Sequence, residues 1–221
     1  MSETQRLNPR SERTRAALIA AGRRLFSVRP VDAVTVDEIV QAAEVGRGSF
    51  YNHFVDREAL LRAISGEIRG AVERAVERAN TDVVDPASRV VRAVCIYLRF
   101  ALDDPERASV LARVHSGHTS LNAPLNRGLL DDISTGLATR RFAIATSEGG
   151  VLYVLGVTQM TFQRVLEGTN LSGAVALAQQ MCALVLRGLG VPIPEAERLA
   201  AQASDELIRQ GKYPAASARG Q

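Results

Sequence analysis

With 221 residues, 46% of them hydrophobic and no tryptophan, the chain can hold one large domain or two small ones and easily buries a core. Long stretches of Ala, Leu, Arg, Glu and Val, with little alternation of β-branched residues, exclude a sheet-rich fold and predict an all-α protein. The formal net charge of +3 is too small to indicate a nucleic-acid ligand by itself, so the distribution of charge matters more.

Positive charge is concentrated at the N-terminus. Residues 1–29 contain seven arginines against two acidic residues, a local balance of +5. Arginine suits phosphate contacts because its planar guanidinium presents a fork of donors, although a solvated arm explains the same composition. We expect residues 1–10 to form a mobile arm and a helix to follow from about Ser11 to Val28, with Leu18, Ala21 and Phe26 on its inner face.

Residues 35–54 predict two short helices joined by a tight turn. Thr35 and Glu38 have the spacing of a capping box, which starts a first helix that runs to about Ala43. We expect Gly46 to make the turn with a positive φ, and a second helix to cover about Arg47 to Asn52. Two helices joined by such a turn are typical of DNA-binding motifs in which the second helix enters the major groove.

The second of these helices has an outward face that suits DNA. That face contains Arg47, Ser49, Tyr51 and His53. The guanidinium of Arg47 can donate to both O6 and N7 of guanine, and the hydroxyls of Ser49 and Tyr51 can donate to phosphate. Tyr51 could instead be a core aromatic and His53 a plain surface histidine, but Phe50 and Phe54 already occupy the inward positions.

The remainder of the chain predicts further helices. Asp56 is a suitable N-cap for a charged helix to about residue 80, and Asp-Pro pairs at 85–86 and 104–105 start two more. Helices at about 124–141, 151–168, 174–190 and 194–210 follow. The helices within 151–190 are apolar on nearly every face and need cover on two sides. Either a second subunit covers them, with Gly156 allowing close approach of a helix, or they are fully buried in a monomer.

Residues 35–60 read T-V-D-E-I-V-x-A-A-x-V-G-R-G-S-F-Y-N-H-F-x-D-R-E-A-L, and this stretch resembles the TetR family of bacterial transcriptional repressors. The resemblance implies an all-α homodimer, with a three-helix helix-turn-helix head and a helical-bundle body that dimerises and binds an effector. We therefore expect a DNA-binding domain with its basic arm at 1–55, the body at 56–210 and a polar tail at 211–221.

The same resemblance assigns DNA contacts to seven residues of this chain. They are Thr35 and Arg57 near phosphates, Arg47, Gly48 and Ser49 at the base-reading start of the second helix, and Tyr51 and His53 along the DNA backbone. Gly46 departs from the serine that is commoner in the family at this position. The start of the recognition helix is therefore expected to lack a side-chain cap.

An effector pocket is expected among the central helices of the body, for a small and mainly apolar ligand. Its candidate lining consists of the larger or polar side chains on apolar helices, each of which could also be plain core. They are Tyr97, Phe100, His115, Tyr153, Gln159 and Phe162.

No cofactor, metal or catalytic site is predicted. His115 and His118 are too few for zinc and have no Asp, Glu or Cys at ligand spacing. A phosphate loop, a dinucleotide fingerprint and a nucleophile elbow are all missing from the sequence, so an enzyme is not expected.

The two cysteines and the hydropathy pattern indicate a cytoplasmic protein. Cys95 and Cys182 lie in apolar helical runs and resemble core residues of a reducing compartment rather than a disulfide framework. Neither a signal segment nor an uninterrupted run of 18 apolar residues occurs, so no membrane partner is expected.

Together these features predict a transcriptional regulator, most simply a homodimeric repressor that a small effector releases from a palindromic, double-stranded operator. Two alternatives remain open. One is a helical small-molecule-binding protein whose head is vestigial, and the other is an activator that needs no effector.

Overall fold

Helices are the only regular elements in the part of the chain that the structure, a computed structural model, describes, which is residues 9–113 and 126–212. The all-α prediction is confirmed. The helices are α1 (Pro9–Val28), α2 (Val36–Ala42), α3 (Arg47–Tyr51), α4 (Arg57–Ala79), α5 (Pro86–Asp103), α6 (Pro105–Arg113), α7 (Arg127–Ala138), α8 (Ser147–Leu166), α9 (Leu171–Gly188) and α10 (Ile193–Ser204). A 3-10 turn, Val31–Ala33, precedes α2, and a π-helical turn, Asp205–Arg209, follows α10.

The predicted capping box starts α2. The Thr35 hydroxyl accepts from the backbone N–H of Glu38 at 3.2 Å, and the Glu38 carboxylate accepts from the backbone N–H of Thr35 at 2.8 Å. Arg29, just after α1, donates to the other Glu38 oxygen at 2.6 Å. This hydrogen bond from Arg29, followed by the one from Thr35, lowers the pKa of Glu38 to about 2. The carboxylate thus ties the end of α1 to the start of α2.

Aspartates start α4 and α5 as the sequence predicts. Asp56 accepts from the backbone N–H of Ala59, and Asp85 accepts from that of Ser88. Thr146 and Asn170 cap α8 and α9 in the same way, although neither was predicted. Because Thr146 is the cap, the glycine pair at 149–150 lies inside α8 instead of preceding it.

The helix that carries the basic residues, α1, connects α2 and α3, here called the reading helices, to the body formed by α4 to α10. It packs against α2, α4 and α6. Gly22 lies against α4 so closely that a Cβ there would meet Leu60 Cδ2 at 2.7 Å. Arg23 pairs with Glu106 on α6 at 2.8 Å, and Arg15 pairs with Glu67 on α4 at 3.2 Å. The exposed ion pairs add little stability. The apolar packing of Gly22 against Leu60 therefore holds α1 and α4 together.

The centre of the body is α5, which packs against α4, α6, α7, α8, α9 and α10. Its apolar residues Val90, Val94 and Leu98 recur at helical spacing and are all buried. Cys95 on this helix faces Cys182 on α9, with their sulfur atoms 3.9 Å apart. Both are buried free thiols, and the pKa of Cys95 is raised well above its usual value by the contact with Cys182 and by burial.

A face of α8 and α9 is left uncovered within the described chain. Met160 is 69% exposed and Leu184 46% exposed, and the exposed Tyr153 of α8 contacts Leu184 at this surface. A Cβ at Gly156 would meet nothing within 4 Å. Among the described residues, therefore, α8 and α9 are not buried on every face.

Among the described helices, α9 alone is long and apolar enough to cross a membrane. Of its 18 residues, Leu171–Gly188, 39% are buried in the protein. Core helices of soluble proteins pass the same test. In the structure α9 packs against α5, α8 and α10.

Several predicted boundaries differ from the observed ones. Pro9 and Arg10 belong to α1 and not to an arm. The last predicted helix, 194–210, is interrupted when α10 ends at Ser204 and the chain continues as a π-helical turn. The predicted helix at 124–141 ends early because Arg140 takes a left-handed φ of 58°. His115 and His118 lie outside the described residues.

The contact between Gly136 on α7 and the buried ring of Phe142 makes a stability prediction. A Cβ at Gly136 would meet that ring at 2.0 Å, so Gly136→Ala should lower the free energy of unfolding by about 1–3 kcal/mol through overpacking. Gly66→Ala on α4 is the matched control. Its Cβ meets nothing, and the change should raise stability by up to about 1 kcal/mol. Urea unfolding of both variants tests this, and equal effects would contradict it.

The lowered pKa of Glu38 predicts a pH-dependent contribution to stability. Because the folded pKa of about 2 lies below the ordinary 4.5, the contribution is complete above pH 4.5 and is lost as the pH falls towards 2. The stability difference between the native chain and Glu38→Gln should therefore shrink steadily below pH 4.5. Urea unfolding between pH 3 and 7 measures it. A difference that stays constant with pH would show that the carboxylate charge is unimportant.

Candidate functional site

The turn between α2 and α3 has a different geometry from the predicted one. Gly46 has an extended backbone with φ −75°, and the left-handed residue is Glu44, with φ 55°. The N–H of Val45 bonds the carbonyl of Val40 at 3.0 Å, and that of Glu44 bonds Gln41 at 3.1 Å. These two bonds form a Schellman motif, which places the left-handed residue directly after the end of α2. The prediction for Gly46 was wrong because residue type was weighed above position.

Gly46 occupies the N-cap of α3, and no side chain caps that end. This agrees with the expectation from the missing serine. The helix that follows has five residues, so few side chains can reach a groove. Gly48 is exposed, and a Cβ there would meet nothing within 4 Å, so packing within this chain does not require a glycine.

The outward and inward faces of α3 are as the sequence predicts. Phe50 is fully buried and Phe54 nearly so, whereas Tyr51 is 49% exposed. Ser49 and His53 are half-buried at the same surface. The Tyr51 ring packs edge-on against Phe50, with centroids 5.4 Å apart. The two phenylalanines thus hold the backbone of α3 while the polar side chains stay at the surface.

Arg47 lies on the surface between α2 and α3. Its Nη1 donates to both carboxylate oxygens of Asp37, at 2.9 and 3.1 Å. Its guanidinium carbon is 6.0 Å from the centre of the Tyr51 ring. The hydrogen bond with Tyr51 and the charge of Asp37 raise the pKa of Arg47. Since both side chains of the ion pair are more than half exposed, water and salt screen the pair and it is easily exchanged.

Further arginines of α1 surround the reading helices. Arg24 donates to the carbonyl of Ala42 at 3.3 Å, and the guanidinium of Arg15 lies 5.6 Å from the centre of the Phe54 ring. Arg13 is exposed nearby on the same helix. These residues give the surface around α3 its positive charge, in line with the basic N-terminal stretch.

Arg57, at the start of α4, has partners within the protein. Its Nη1 donates to the carbonyls of Asp32 and Val34, both at 3.2 Å, and its Nε donates to Glu58 at 2.9 Å. The guanidinium therefore fastens the turn before α2 to the start of α4. This internal role was not predicted, and the phosphate contact expected of Arg57 stays a prediction.

A cavity of about 780 Å³ lies in the body between α4, α5, α7 and α8. This volume is in the range of pockets that bind small organic molecules. Three of the six predicted pocket residues line it, namely Tyr97, Gln159 and Phe162. Val94 and Leu155 contribute to its apolar wall.

Two of the other three candidates, Phe100 and Tyr153, are not on this wall. Phe100 is buried in the core, and the guanidinium of Arg107 lies 5.5 Å from its ring centre. Tyr153 lies on the outer face of α8, and its hydroxyl donates to the carbonyl of Leu184 on α9 at 2.9 Å. His115 lies outside the described residues. Tyr153 was misplaced because the sequence of α8 is apolar on both its inner and outer faces.

The sequence did not predict that Arg69 and Glu73 would line the cavity. Arg69 is only 8% exposed, and its Nη2 donates to the Asn126 side-chain oxygen at 2.7 Å. Its Nε has no hydrogen-bond partner among the described residues. The Tyr97 hydroxyl donates to Glu73, one turn after Arg69. Both charged residues lie on α4, which the sequence predicts only as a charged helix.

Burial is the main influence on the pKa values of Glu73 and Tyr97. Burial raises the pKa of Glu73, although the bond from Tyr97 and the charge of Arg69 act in the opposite direction. Burial also raises the pKa of Tyr97 well above its ordinary value, and the neighbouring Glu73 charge adds to the effect. The tyrosine therefore stays a neutral donor. No group of three or more potential metal ligands occurs among the described residues.

Two family models match the chain. Residues 18–64 match the model of bacterial regulatory proteins of the TetR family, and residues 85–202 match the C-terminal domain of tetracycline-repressor-like proteins. The first includes the reading helices, and the second includes most of the helices that surround the cavity.

Curated relatives are similar over part of the chain. An HTH-type transcriptional regulator of Mycobacterium tuberculosis is 31% identical over 100 residues, which cover 45% of this chain and 50% of that protein. The HTH-type transcriptional repressor DhaR of a Mycobacterium species is 33% identical over 75 residues, or 34% of this chain and 38% of that protein. The chain thus spans half or less of the length of these relatives.

Solved structures resemble the whole fold. RolR in complex with resorcinol is 30% identical, with a TM-score of 0.69 over 87% of this chain and 95% of that one. The fatty acid degradation regulator FadR of Bacillus halodurans shares the fold alone, at 16% identity and a TM-score of 0.67 over 85% of this chain and 100% of that one. Together with the two matching models, these findings show that the chain belongs to the TetR family of bacterial transcriptional regulators.

Proposed function

We propose that this regulator is a homodimeric repressor that binds a palindromic operator and is released from it by a small, mainly apolar effector. The exposed polar face of α3, supported by two buried phenylalanines and surrounded by arginines, is the observation that carries the proposal. A surface of this kind fits the major groove, where phosphate contacts position the helix and base contacts select the sequence.

Arg47 is the residue that reads a base in this proposal. In the free protein its guanidinium is paired with Asp37, so base recognition exchanges an exposed carboxylate for O6 and N7 of a guanine. Thr35, Tyr51, His53 and Arg57 contact the DNA backbone, and Gly48 and Ser49 lie at the base edges. A reading helix of five residues specifies few base pairs, so the operator must be recognised by two heads.

The uncovered face of α8 and α9 is the proposed dimer interface. Large apolar residues there, Met160 on α8 and Leu184 on α9, face solvent in the single chain. Burying such a face stabilises a dimer through the hydrophobic effect. Two heads held in this way read half-sites about one helical turn apart, roughly 34–36 Å.

The cavity is the proposed effector site. Its wall includes α4, which also begins beside the reading helices. An effector that binds one arrangement of α4 more tightly shifts the population of DNA-competent dimers, since a ligand acts only through differential affinity. RolR, which is 30% identical, is bound to resorcinol in its structure, which supports a small ligand for the body. DhaR is a repressor, which supports repression.

The proposal also assigns regions and compartment. Residues 1–55 form the DNA-binding domain with its basic arm, residues 56–210 form the body, and residues 211–221 form a polar tail. Cytoplasmic location follows from the DNA ligand and from the free thiols of Cys95 and Cys182. No enzymatic activity, metal or cofactor is part of the proposal.

Loss of the Arg47 side chain should reduce sequence discrimination. Arg47→Ala should lower the preference for the operator over random DNA by about 1–3 kcal/mol at one or two base positions, because a bidentate guanine contact is lost. Footprinting of the DNA upstream of its own gene, followed by titration with base-substituted operators, measures this. Arg198 is an exposed arginine on α10, so Arg198→Ala serves as the control for loss of a positive charge.

An unchanged operator preference in Arg47→Ala would remove Arg47 from the base-reading set, and a missing footprint in the native chain would reject the repressor itself.

Loss of the Arg57 side chain, in Arg57→Ala, tests the predicted phosphate contact. A phosphate contact predicts weaker binding to all DNA alike and a salt slope smaller by about one. Thermal unfolding of this variant separates that effect from loss of the internal hydrogen bonds.

Charge on the uncovered face should dissociate the dimer. Met160→Glu and Leu184→Glu together would bury two pairs of like charges in the proposed interface, so we expect monomers. Light scattering coupled to size-exclusion chromatography gives the mass. Val84→Glu is the control, because Val84 is exposed and apolar but lies away from α8 and α9. A dimer that survives the double substitution would place the interface elsewhere.

A further inference from the structure

We propose that the body cavity selects neutral aromatic molecules that carry a ring hydroxyl, and that Arg69 and Glu73 bind this hydroxyl from two sides. The inference deepens the effector part of the proposed function and rests on it. It names the chemical class that the cavity recognises and the two residues that make the selection.

The unpaired donor of Arg69 calls for an acceptor on the ligand. The side chain is buried, and its Nη2 donates to the side-chain oxygen of Asn126. Arg69 lines the cavity, and its Nε has no hydrogen-bond partner among the described residues. A buried donor left unsatisfied destabilises the protein, and a charged donor does so more strongly than a neutral one. An oxygen atom of the ligand would remove that destabilisation.

Glu73 calls for a donor on the ligand. It lies four residues after Arg69 on α4, and side chains with this spacing lie on the same face of a helix. One carboxylate oxygen of Glu73 accepts from Tyr97. A carboxylate can accept about four hydrogen bonds, so Glu73 retains capacity at the cavity wall. Desolvation raises its pKa, so a second donor would stabilise its charged form.

The opposite charges of Arg69 and Glu73 determine which ligand group fits between these two side chains, although other charged residues also line the cavity. A carboxylate would satisfy Arg69 but would meet Glu73, and an ammonium group would have the reverse problem. Each would leave one buried like-charge contact, which is costly at this depth. A hydroxyl is neutral and can accept from Arg69 and donate to Glu73 through a single oxygen.

The apolar wall favours an aromatic carrier for this hydroxyl. The rings of Tyr97 and Phe162 both line the cavity, edge to face, with their centres 6.4 Å apart. A third ring can pack against them in the offset or edge-on geometries that aromatic groups prefer. A phenolic O–H, with an ordinary pKa of about 10, is a stronger donor to a carboxylate than an aliphatic hydroxyl. The cavity volume of about 780 Å³ leaves space for an apolar substituent.

Titration calorimetry on the full-length protein with four matched probes tests the selection. The probes are meta-pentylphenol, meta-pentylanisole, meta-pentylbenzoate and meta-pentylbenzylamine. The phenol should bind at least tenfold more tightly than each of the other three. The anisole is the sharpest comparison, because it keeps the ring and the oxygen acceptor and lacks only the proton donated to Glu73.

Two substitutions assign the selection to the named residues. Glu73→Gln removes the negative charge, so the preference for phenol over anisole should fall severalfold and benzoate should bind more tightly than to the native chain. Arg69→Gln should weaken the phenol and the anisole together. Glu197→Gln, an exposed glutamate of α10 that does not line the cavity, is the matched control for loss of a negative charge and should leave all four affinities unchanged.

Circular dichroism of each variant confirms folding. If Glu73→Gln does not fold, Tyr97→Phe provides the second test, since it leaves the carboxylate in place and should preserve the preference for phenol. Equal affinity of the native chain for phenol and anisole, or tighter binding of benzoate, overturns the proposal. An unchanged phenol preference in folded Glu73→Gln also overturns it.

Operator footprinting in parallel separates this inference from the proposed repressor. If the operator is protected and none of the four probes binds, the hydroxyl selection fails and the DNA-binding function stands. If the phenol binds with the expected preference and no footprint forms, the cavity assignment stands and the proposed repressor fails.

Discussion

The rest of the structure depends on the continuity of α4. This helix starts at Arg57, which holds the turn before α2, and sixteen residues later it carries Glu73 on the cavity wall. At 1.5 Å per residue the two points lie roughly 24 Å apart on one rod. Gly22 on α1 packs directly against the same helix. The reading helices and the cavity thus share one rigid element, and neither can be displaced along it independently.

Polar groups buried along this rod explain why the body keeps a cavity. Arg69 and Glu73 lie on the cavity wall beside the apolar side chains of α5 and α8, and the nearby tyrosine and asparagine satisfy only part of their hydrogen-bonding capacity. Natural cores rarely retain such groups without a reason, because unsatisfied buried donors are costly. The stability lost here is the kind of local violation that marks a binding site.

Local sequence signals were enough to predict much of the head. The capping box, the aspartate caps and the inward phenylalanines are short-range features, and each is observed in the structure. Signals that depend on partners in space were not readable. Arg69 and Glu73 were not predicted as cavity residues because their partners, Tyr97 and Asn126, come more than twenty residues later in the chain. The left-handed Glu44 was missed because its helix-end position outweighs its residue type.

The hydrogen bond from Tyr153 to the backbone of Leu184 has a consequence for association. It ties α8 to α9 across the uncovered face, so the two halves of that surface are already fixed relative to each other in the single chain. In the proposed dimer the partner would meet a preorganised surface, and little conformational entropy would be lost on binding. Assembly would then be governed by the fit of the apolar side chains and not by the ordering of the helices that carry them.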